Sequence, residues 1–577
     1  MINVYKNVFW YFKQQKVAYI MMMILLLVIS FLSTLTPKVV GMVIDSITQG
    51  SLTMQSLIIL GGLLLLIPTA LYILNYLFHK TINMKGQLLS RQLRILYLGK
   101  LFSQDSKIFE EYNKGELISR ISNDMPSITQ AATMLLSDLV YCASLMLFVL
   151  IFMIFTVSFK LTLIAFSIVP LTFFFLNIAR QNMRKYYKIH RKIFSAFFDS
   201  ILESIEGTKV VRAYTQEDED IQKNVNAITL DINSWKKIVK FEVIFGPLFE
   251  AVIAISTFLT FSYGSYLVIM SDITVGQLIT FSAYITMIAG PIMVLANIFN
   301  VVNQANVSSE RFFEVMERES EVVDKAESQD VYELNTLEFK DVSFKYPFDD
   351  YPTIKNINLT INKGETIGIV GPTGSGKSTL IRQLLREFKT TSGVVLINGQ
   401  SIEEYKIQAV RELVGYVPQV HVLFQGSVED NLMIGLPNAN EETKHSAIEI
   451  AAFKNDLAYM QDGINTYVGE SGTGLSGGQK QRLSIARAII KEPQILILDD
   501  SLSAVDAKTE KSIINNLKEH RQDKTNIIIS HRFSVIKEAN KIIVLQNGEI
   551  TESGSHYELM QNGGWYAVQY ENQVKGL

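Results

Sequence analysis

Six long apolar runs in roughly the first 300 residues constrain the fold of this chain more than any other feature. Each run can cross a bilayer as a helix, because a hydrocarbon core about 30 Å thick needs roughly 20 helical residues. Buried core helices of a soluble protein are the alternative, but so many runs of this length disfavour them. The predicted transmembrane helices lie near residues 17–44, 56–79, 132–156, 161–179, 244–269 and 275–297.

The composition agrees with a membrane-embedded part. Charged residues make up 19% of the chain, whereas soluble domains average about 25%. The net charge of −3 gives no indication of a nucleic-acid partner. Cys142 is the one cysteine, which excludes an internal disulfide framework and a cysteine-rich metal site. No cleavable signal peptide is predicted, because the first apolar run is too long for one.

The links between the apolar runs alternate in length and charge. The links after the second and fourth runs are about 50 to 65 residues long and rich in Lys and Arg, whereas the other links are short. The positive-inside rule therefore places the two long links and both termini in the cytoplasm. Both long links have helical periodicity, which predicts transmembrane helices that continue well beyond the bilayer.

The composition changes after the last apolar run. Residues 1–316 form the predicted transmembrane domain, and the acidic, polar residues 317–336 a linker. In residues 337–577, short β-rich runs alternate with helical ones, which predicts an α/β domain with a largely parallel sheet. The clearest strands are TIGIVG, ILILDD, TNIIIS and KIIVLQNG.

A phosphate-binding loop lies in the predicted α/β domain. The segment GPTGSGKS fits the pattern G-x-x-x-x-G-K-[ST], with a strand before it and a helix after it. Glycines let backbone N–H groups close around phosphates, and the helix adds its positive dipole end. We expect the Lys to reach the outer phosphates and the Ser hydroxyl to bind Mg²⁺. The predicted contacts are Gly371, Pro372, Thr373, Gly374, Ser375, Gly376, Lys377, Ser378 and Thr379.

A second glycine motif, LSGGQ, follows about 100 residues later. Ser476, Gly477 and Gly478 predict another anion nest at the start of a helix. One domain has no need of two phosphate nests that face different ways. Two domains placed head to tail would use both, with each nest closing over the nucleotide on its partner's phosphate loop.

Together these motifs resemble those of ATP-binding cassette exporters of the fused type, with six membrane helices followed by one nucleotide-binding domain. The resemblance covers nearly the whole chain. It implies that the cofactors are ATP and Mg²⁺, and that Gly371–Ser378 is the Walker A motif. It also implies that the signature motif contacts ATP bound to a partner, through Leu475, Ser476, Gly477, Gly478 and Gln479.

The same resemblance assigns roles to single residues. Tyr346 matches the aromatic that stacks on adenine, and Asp499 the Walker B aspartate that holds Mg²⁺ through water. Gln419 matches the glutamine that touches Mg²⁺ and the attacking water, and His531 the histidine that contacts the γ-phosphate. The remaining matches are Ser503–Asp506 at the dimer interface, Val468–Gly472 facing the partner, and coupling helices near Gln104–Tyr112 and Tyr214–Asp220.

One position departs from the family pattern. Asp500 stands where these exporters usually carry a glutamate that orients the attacking water. We expect its carboxylate to be withdrawn by about 1–1.5 Å, so that ATP binds at this site but is hydrolysed slowly. The alternative is that the backbone shifts and Asp500 still serves as the base.

An aspartate here, beside an intact signature, resembles the degenerate-site subunit of a bacterial heterodimeric multidrug exporter. The implied partner is a second half-transporter that carries the catalytic glutamate. The implied location is the bacterial cell membrane, with several membrane passes and contact with lipid. The implied substrates are hydrophobic, drug-like compounds, some of them cationic. A homodimeric exporter or flippase of lipid or peptide is the alternative.

Two acids lie inside the apolar runs. Glu250 is in the fifth run and Asp138 in the third. Acids within membrane spans are functional candidates, and we consider both as contacts for a cationic substrate. Because both lie near the cytoplasmic ends of their runs, the alternative is that they reach the interface or pair with a basic side chain.

Overall fold

The chain divides into two compact units in the computed structural model, which describes residues 2–167, 169–469 and 472–575. The helical unit comprises Met1–Leu98 and Ile118–Glu317. The α/β unit comprises Gly99–Leu117 and Arg318–Leu577. A short segment from the first half of the chain therefore belongs to the α/β unit.

Long helices joined by short turns make up the first half of the chain. They are α1 Ile2–Gln14, α2 Lys16–Thr48, α3 Met54–Phe102, α4 Lys107–Glu111, α5 Lys114–Val157 with three π-helical turns, α6 Phe159–Phe166, α7 Val169–Glu206, α8 Thr208–Ala213, α9 Glu217–Ile269 and α10 Val275–Glu317. Several are far longer than the roughly 20 residues that a bilayer requires, so they extend beyond it, as the periodicity of the long links predicted.

Five helical stretches within the described residues are long and apolar enough to cross a bilayer. They are Lys16–Thr48, Met54–Phe102, Lys114–Val157, Glu250–Ile269 and Val275–Glu317. They overlap the first, second, third, fifth and sixth predicted runs. The fourth run, 161–179, falls on α6 and α7 and includes Ile168, which lies outside the described residues. The count of six therefore stays a prediction.

Small and polar residues hold the helical unit together where α2 meets α5 and α10. The Ser30 and Ser144 hydroxyls are 2.7 Å apart, and the Tyr284 hydroxyl donates to the Thr34 carbonyl at 2.8 Å. Closer to the C-terminal end of α2, a Cβ added to Gly276 of α10 would lie 2.1 Å from the Gly41 carbonyl oxygen. Close packing of small residues and interhelical hydrogen bonds are what stabilise helices in lipid, where the hydrophobic effect does not act between them.

The α/β unit contains two main sheets. Its strands are β1 Thr336–Phe344, β2 Ile354–Asn362, β3 Thr366–Val370, β4 Ser392–Ile397, β5 Gln400–Ser401, β6 Val414–Val417, β7 Gly426–Ser427, β8 Tyr467–Val468, β9 Ile495–Asp499, β10 Thr525–Ile529, β11 Lys541–Gln546 and β12 Glu549–Gly554. One sheet is antiparallel, in the order β2-β1-β4-β5, and the other has the order β12-β11-β3-β10-β9-β6. The pair β7–β8 stands apart.

In the α/β unit, α-helices alternate with the strands after β3. They are α11 Lys377–Leu384, α12 Ile407–Leu413, α13 Val428–Met433, α14 Glu441–Ile450, α15 Lys454–Tyr459, α16 Gly477–Ile489, α17 Ala507–His520, α18 Phe533–Ile536, α19 His556–Asn562 and α20 Trp565–Lys575. Strands β11, β3, β10, β9 and β6 are parallel. All five residues of β9 are buried, which is why its sequence is continuously apolar up to the final aspartate. The carboxyl ends of these strands meet at one edge, the usual position of a ligand site in such a sheet.

The segment around α4 is anchored to the α/β unit by buried polar contacts. The almost fully buried carboxylate of Asp105 accepts from the Glu321 N–H at 2.7 Å and lies 3.3 Å from Arg318 Nη1. The Ser106 N–H donates to the Glu387 carbonyl at 3.2 Å. This agrees with a docking helix at Gln104–Tyr112. The other expected docking segment, Tyr214–Asp220, covers the turn between α8 and α9, where Tyr214 is exposed, and the first four residues of α9.

Candidate functional site

The loop between β3 and α11 has the shape of a phosphate cradle. Gly374 and Gly376 have φ of +81° and +97°, values that favour glycine. A Cβ added to Gly371 would lie 2.0 Å from the Leu545 carbonyl oxygen. The loop therefore requires glycine at Gly371, Gly374 and Gly376. The N–H groups at the first turn of α11 face this loop, which is the arrangement that binds phosphate.

Lys377 lies against this loop. Its Nζ donates to the carbonyls of Gly371 at 3.0 Å and Pro372 at 2.8 Å, and it lies 3.4 Å from Ser375 Oγ. Burial lowers the pKa of Lys377, and the nearby Asp499 and Asp500 carboxylates oppose this shift. The cation is thus held against the backbone of the cradle.

A hydroxyl and a carboxylate meet at the carboxyl end of β9. Ser378 Oγ donates to Asp499 Oδ1 at 3.0 Å, and the Tyr416 hydroxyl donates to Asp499 Oδ2 at 3.3 Å. Burial raises the pKa of Asp499, whereas these two hydrogen bonds lower it. Hard oxygen donors of this kind are the ligands that Mg²⁺ prefers. The cradle and this pair fit ATP with Mg²⁺.

Asp500 directly follows this pair, in a constrained backbone. Its φ is +47°, which is uncommon for a residue other than glycine. Its N–H donates to the Ile529 carbonyl at 2.9 Å, and its carbonyl accepts from Ser503 Oγ at 3.1 Å. Both backbone polar groups are therefore tied to neighbouring segments, so that a shift of this backbone would break hydrogen bonds.

Three further side chains belong to the loops at this edge of the sheet. Gln419, after β6, and His531, after β10, are exposed, and the His531 carbonyl accepts from Gln573 Nε2 at 3.1 Å. His421, which sequence reasoning missed, has both ring nitrogens buried with no hydrogen-bond partner among the described residues. Burial and Arg487 lower the pKa of His421, and Asp500 opposes them. Its position two residues after Gln419 was the one available signal.

Tyr346 is fixed by three contacts. Its hydroxyl is 3.2 Å from Thr379 Oγ1 and accepts from Arg382 Nη1 at 3.2 Å. Its ring packs edge-on against Phe344, with ring centroids 4.9 Å apart. Arg382, on α11, also lies 3.9 Å from the Glu110 carboxylate of α4. Sequence reasoning did not single out Arg382, because no local pattern links residues so far apart in the chain.

The LSGGQ segment starts α16, as its sequence predicted. Ser476 is the N-cap, and its hydroxyl accepts from the Gln479 N–H at 3.3 Å while Gln479 Oε1 accepts from the Ser476 N–H at 2.8 Å. This capping box stabilises the helix start. Gln481 Oε1 then accepts from the Ala504 N–H at 3.1 Å, which links α16 to the loop after Asp500. The predicted contact Glu470 lies outside the described residues.

Comparisons with known proteins identify the family. Residues 19–292 match the model of the ABC transporter transmembrane region, and residues 354–503 match the ABC transporter model. The chain is 35% identical to the "Probable multidrug resistance ABC transporter ATP-binding/permease protein YheI" of Bacillus subtilis, over 99% of this chain and 98% of that protein. The chain belongs to the ABC transporter family.

Two further comparisons agree. This ABC transporter is 32% identical to the "Multidrug resistance-like ATP-binding protein MdlA" of Escherichia coli, over 99% of this chain and 97% of that protein. Its fold matches the solved structure of a bacterial Atm1-family ABC exporter with ATP bound, with a TM-score of 0.81, 23% identity and coverage of 97% and 99%. It is thus a multi-pass membrane protein with an ATPase domain, and ATP-driven export fits this family.

The two intramembrane acids lie far from the nucleotide motifs in sequence. Asp138 is on α5 with an exposed side chain. Glu250 is exposed on α9. Phe281 and Tyr284, two aromatics of α10, are completely buried within the helical unit.

Proposed function

We propose that this ABC transporter exports small amphipathic compounds as one half of a heterodimer whose two ATP sites are unequal. The observation that carries the proposal is Asp500, a shortened carboxylate at the position of the catalytic base, in a backbone held at both its N–H and its carbonyl. Its own site binds ATP and Mg²⁺ through the cradle, Lys377, Ser378 and Asp499, but turns over slowly.

The length of the side chain decides the rate. An aspartate is one CH₂ shorter than a glutamate, which withdraws the carboxylate by about 1–1.5 Å. A general base must lie within hydrogen-bond reach of the water it activates, about 2.6–3.2 Å. A misplacement of about 1 Å costs on the order of 100-fold in rate. The two backbone hydrogen bonds of Asp500 support slow hydrolysis, because a backbone shift that compensated for the shorter side chain would break them.

The signature segment supports a working site on the partner. Ser476 and Gln479 form a complete capping box, so that the N–H groups of Gly477 and Gly478 are held at a formed helix start. We propose that hydrolysis occurs mainly at the composite site made from the partner's Walker motifs and this signature. The partner then carries the glutamate that this chain lacks.

The proposed substrates are hydrophobic, drug-like compounds. The support is that the relatives from B. subtilis and E. coli carry multidrug resistance in their names. We propose a bacterial cell membrane location with both termini cytoplasmic, from the basic long links. The proposed domains are residues 1–316, 317–336 and 337–577. Glu250 and Asp138 are the proposed contacts for cationic substrates.

The test compares the chain alone with the complex. A tagged chain is purified from native membranes with the half-transporter that co-purifies, and also alone after heterologous expression. The proposal expects strong ATPase activity and dye transport from the complex, and at least about tenfold less ATPase activity from the chain alone. Equal ATPase activity per ATP site in both preparations would refute the unequal sites.

A homodimeric exporter or flippase of lipid or peptide, with Asp500 as the base, is the second candidate. The intact Ser378–Asp499 pair favours it, because the metal-binding half of this site is complete. The result that distinguishes this candidate is lipid scrambling or peptide uptake in vesicles that contain the chain alone. Asp500→Asn should then abolish ATP turnover.

A further inference from the structure

Two antiparallel helices of the helical unit, α7 and α9, present a dense group of exposed cations. Lys188, Arg191 and Lys192 lie on one face of α7 at spacings of three and four residues. Lys236, Lys237 and Lys240 are exposed on α9. The segments 187–194 and 235–240 contain no acidic residue, and Asp231 of α9 lies close by, with its carboxylate 3.3 Å from His190 Nδ1. We call these six cations the basic face.

Hydrogen bonds between the two helices show that both parts of the basic face lie at the same level. His190 Nδ1 is 2.8 Å from Ser234 Oγ, and Ser200 Oγ donates to Asn224 Oδ1 at 3.1 Å. A step of ten residues toward the C-terminus of α7 thus matches a step of ten residues toward the N-terminus of α9, as in any antiparallel pair. Lys188 is therefore level with Lys236, and all six charges lie within about 14 Å along the helices.

Aromatic rings accompany the charges. The ring centroids of His190 and Trp235 are 5.0 Å apart, and those of Tyr187 and Trp235 are 6.4 Å apart. Tyr187, Phe194 and Trp235 are each about 40–45% exposed. An open groove of about 560 Å³ runs between Lys188, Arg191 and Phe194. Trp and Tyr rings favour the boundary between lipid and water, and Lys and Arg side chains extend from there to the headgroups.

The lengths of α9 and α10 indicate where this level lies relative to a bilayer. Leu278 of α10 contacts the position of Gly264 on α9, and 31 residues further along α10 lies Ser309. Counting 31 residues back along α9 from Gly264 reaches Asn233, two residues before Trp235. This is about 46 Å of helix, close to the 40–45 Å of a whole bilayer with its headgroups.

The short helix α1 lies at this same level. Asn7 Nδ2 donates to Ser309 Oγ at 3.2 Å. Helix α1 buries Val4, Val8 and Tyr11 while exposing Phe9, as a helix lying along a membrane surface does. Both the basic face and α1 thus mark one interface, which is the cytoplasmic one if the proposed orientation holds.

We propose that the basic face binds the headgroups of anionic phospholipids. Clusters of four to eight Lys or Arg residues beside a membrane helix attract anionic lipid, and the basic face has six, three on each of two paired helices. The acyl chains would lie along the exposed aromatic rings, while the phosphates meet the ammonium and guanidinium groups. The proposed site binds lipid that surrounds the transporter and does not include any of the ATPase motifs.

Trp235 gives a direct probe of this contact. The full chain, in a Trp10→Phe/Trp565→Phe background, is placed in phosphatidylcholine nanodiscs that contain a small fraction of lipid spin-labelled at acyl carbon 5. We expect labelled phosphatidylglycerol to quench Trp235 fluorescence about twofold more than labelled phosphatidylcholine at the same mole fraction, and high salt to remove the difference.

Matched variants localise the effect. Lys236→Gln/Lys237→Gln/Lys240→Gln should abolish the excess quenching, while the same positions changed to Arg should keep it. Lys340→Gln/Lys511→Gln/Lys537→Gln removes the same charge from exposed positions of the α/β unit and should also keep it. Equal quenching by both lipids, no quenching by either, or an excess that survives the Gln substitutions would overturn the proposal. None of these outcomes depends on ATP turnover or on a partner.

Discussion

Ser378 Oγ donates a hydrogen bond to Asp499 Oδ1 across 3.0 Å, although 121 residues separate the two in the chain. The contact joins the first turn of α11 to the carboxyl end of β9. It satisfies one oxygen of a buried carboxylate, which is costly to leave unpaired. It also sets two oxygen ligands side by side at the end of the phosphate cradle.

Removing this hydroxyl should weaken the Mg²⁺-dependent part of ATP binding. Ser378→Ala deletes one proposed metal ligand and leaves Asp499 Oδ1 without its donor. With Mg²⁺ present, we expect the affinity for a fluorescent ATP analogue to fall at least about tenfold, since a hydrogen bond to a charged group contributes about 1.5–3 kcal/mol. Without Mg²⁺, the loss of affinity should be smaller. Ser378→Thr, which keeps the hydroxyl, should retain most of the affinity. Equal losses with and without Mg²⁺ would argue against a metal role.

Arg382 connects the proposed adenine-binding tyrosine to the docking helix α4. Its Nη1 donates to the Tyr346 hydroxyl at 3.2 Å and lies 3.9 Å from Glu110. Because the ion pair with Glu110 is partly exposed, we expect it to contribute at most about 1 kcal/mol. The hydrogen bond to Tyr346 should therefore account for most of any effect on nucleotide binding.

Arg382→Gln should lower ATP affinity about three- to tenfold, because Tyr346 loses a positioning hydrogen bond of about 1 kcal/mol. Glu110→Gln should leave ATP affinity nearly unchanged in the same titration. Lys389→Gln, at an exposed position of the same unit, is the charge-matched control. A loss for Glu110→Gln as large as that for Arg382→Gln would contradict this division of roles.

His556 should make the α/β unit sensitive to acid. It is the first residue of α19, and its Nδ1 is 2.8 Å from the Tyr566 hydroxyl. Burial and the nearby Lys537 lower its pKa below the ordinary value of 6.5. The unfolded chain therefore takes up a proton near pH 6.5, while the native state does so at lower pH. The stability that depends on neutral His556 is complete above about pH 6.5 and falls as the pH drops through this window.

Thermal unfolding followed through Trp565, in a Trp10→Phe/Trp235→Phe background, measures this effect. The transition temperature should fall between pH 7.5 and 5.5, and His556→Gln should reduce the fall. His520→Gln, at an exposed position, should leave the fall as it is. A pH dependence unchanged by His556→Gln would show that other groups cause it.

The features that the sequence predicted are those whose signal is local. The phosphate loop and α11 are contiguous in the chain, and the four apolar residues of β9 are buried as their pattern indicated. The contacts of Tyr416 with Asp499 and of Arg382 with Tyr346 join distant segments, and no periodicity encodes them. The membership of α4 in the α/β unit also depends on buried ion pairs such as Asp105–Arg318. The fourth membrane helix and the partner chain stay predictions.

Hydrolysis by the Asp500→Glu variant tests the central claim most directly. The complex is assembled with the partner's own catalytic glutamate changed to Gln, so that turnover reports the site of this chain. The account predicts low ATPase activity with Asp500, and a rise of at least about tenfold with Asp500→Glu, which restores the reach of the carboxylate. Activity that is already high with Asp500 and unchanged by the substitution would show that the shorter side chain serves fully as the base, and would contradict the account.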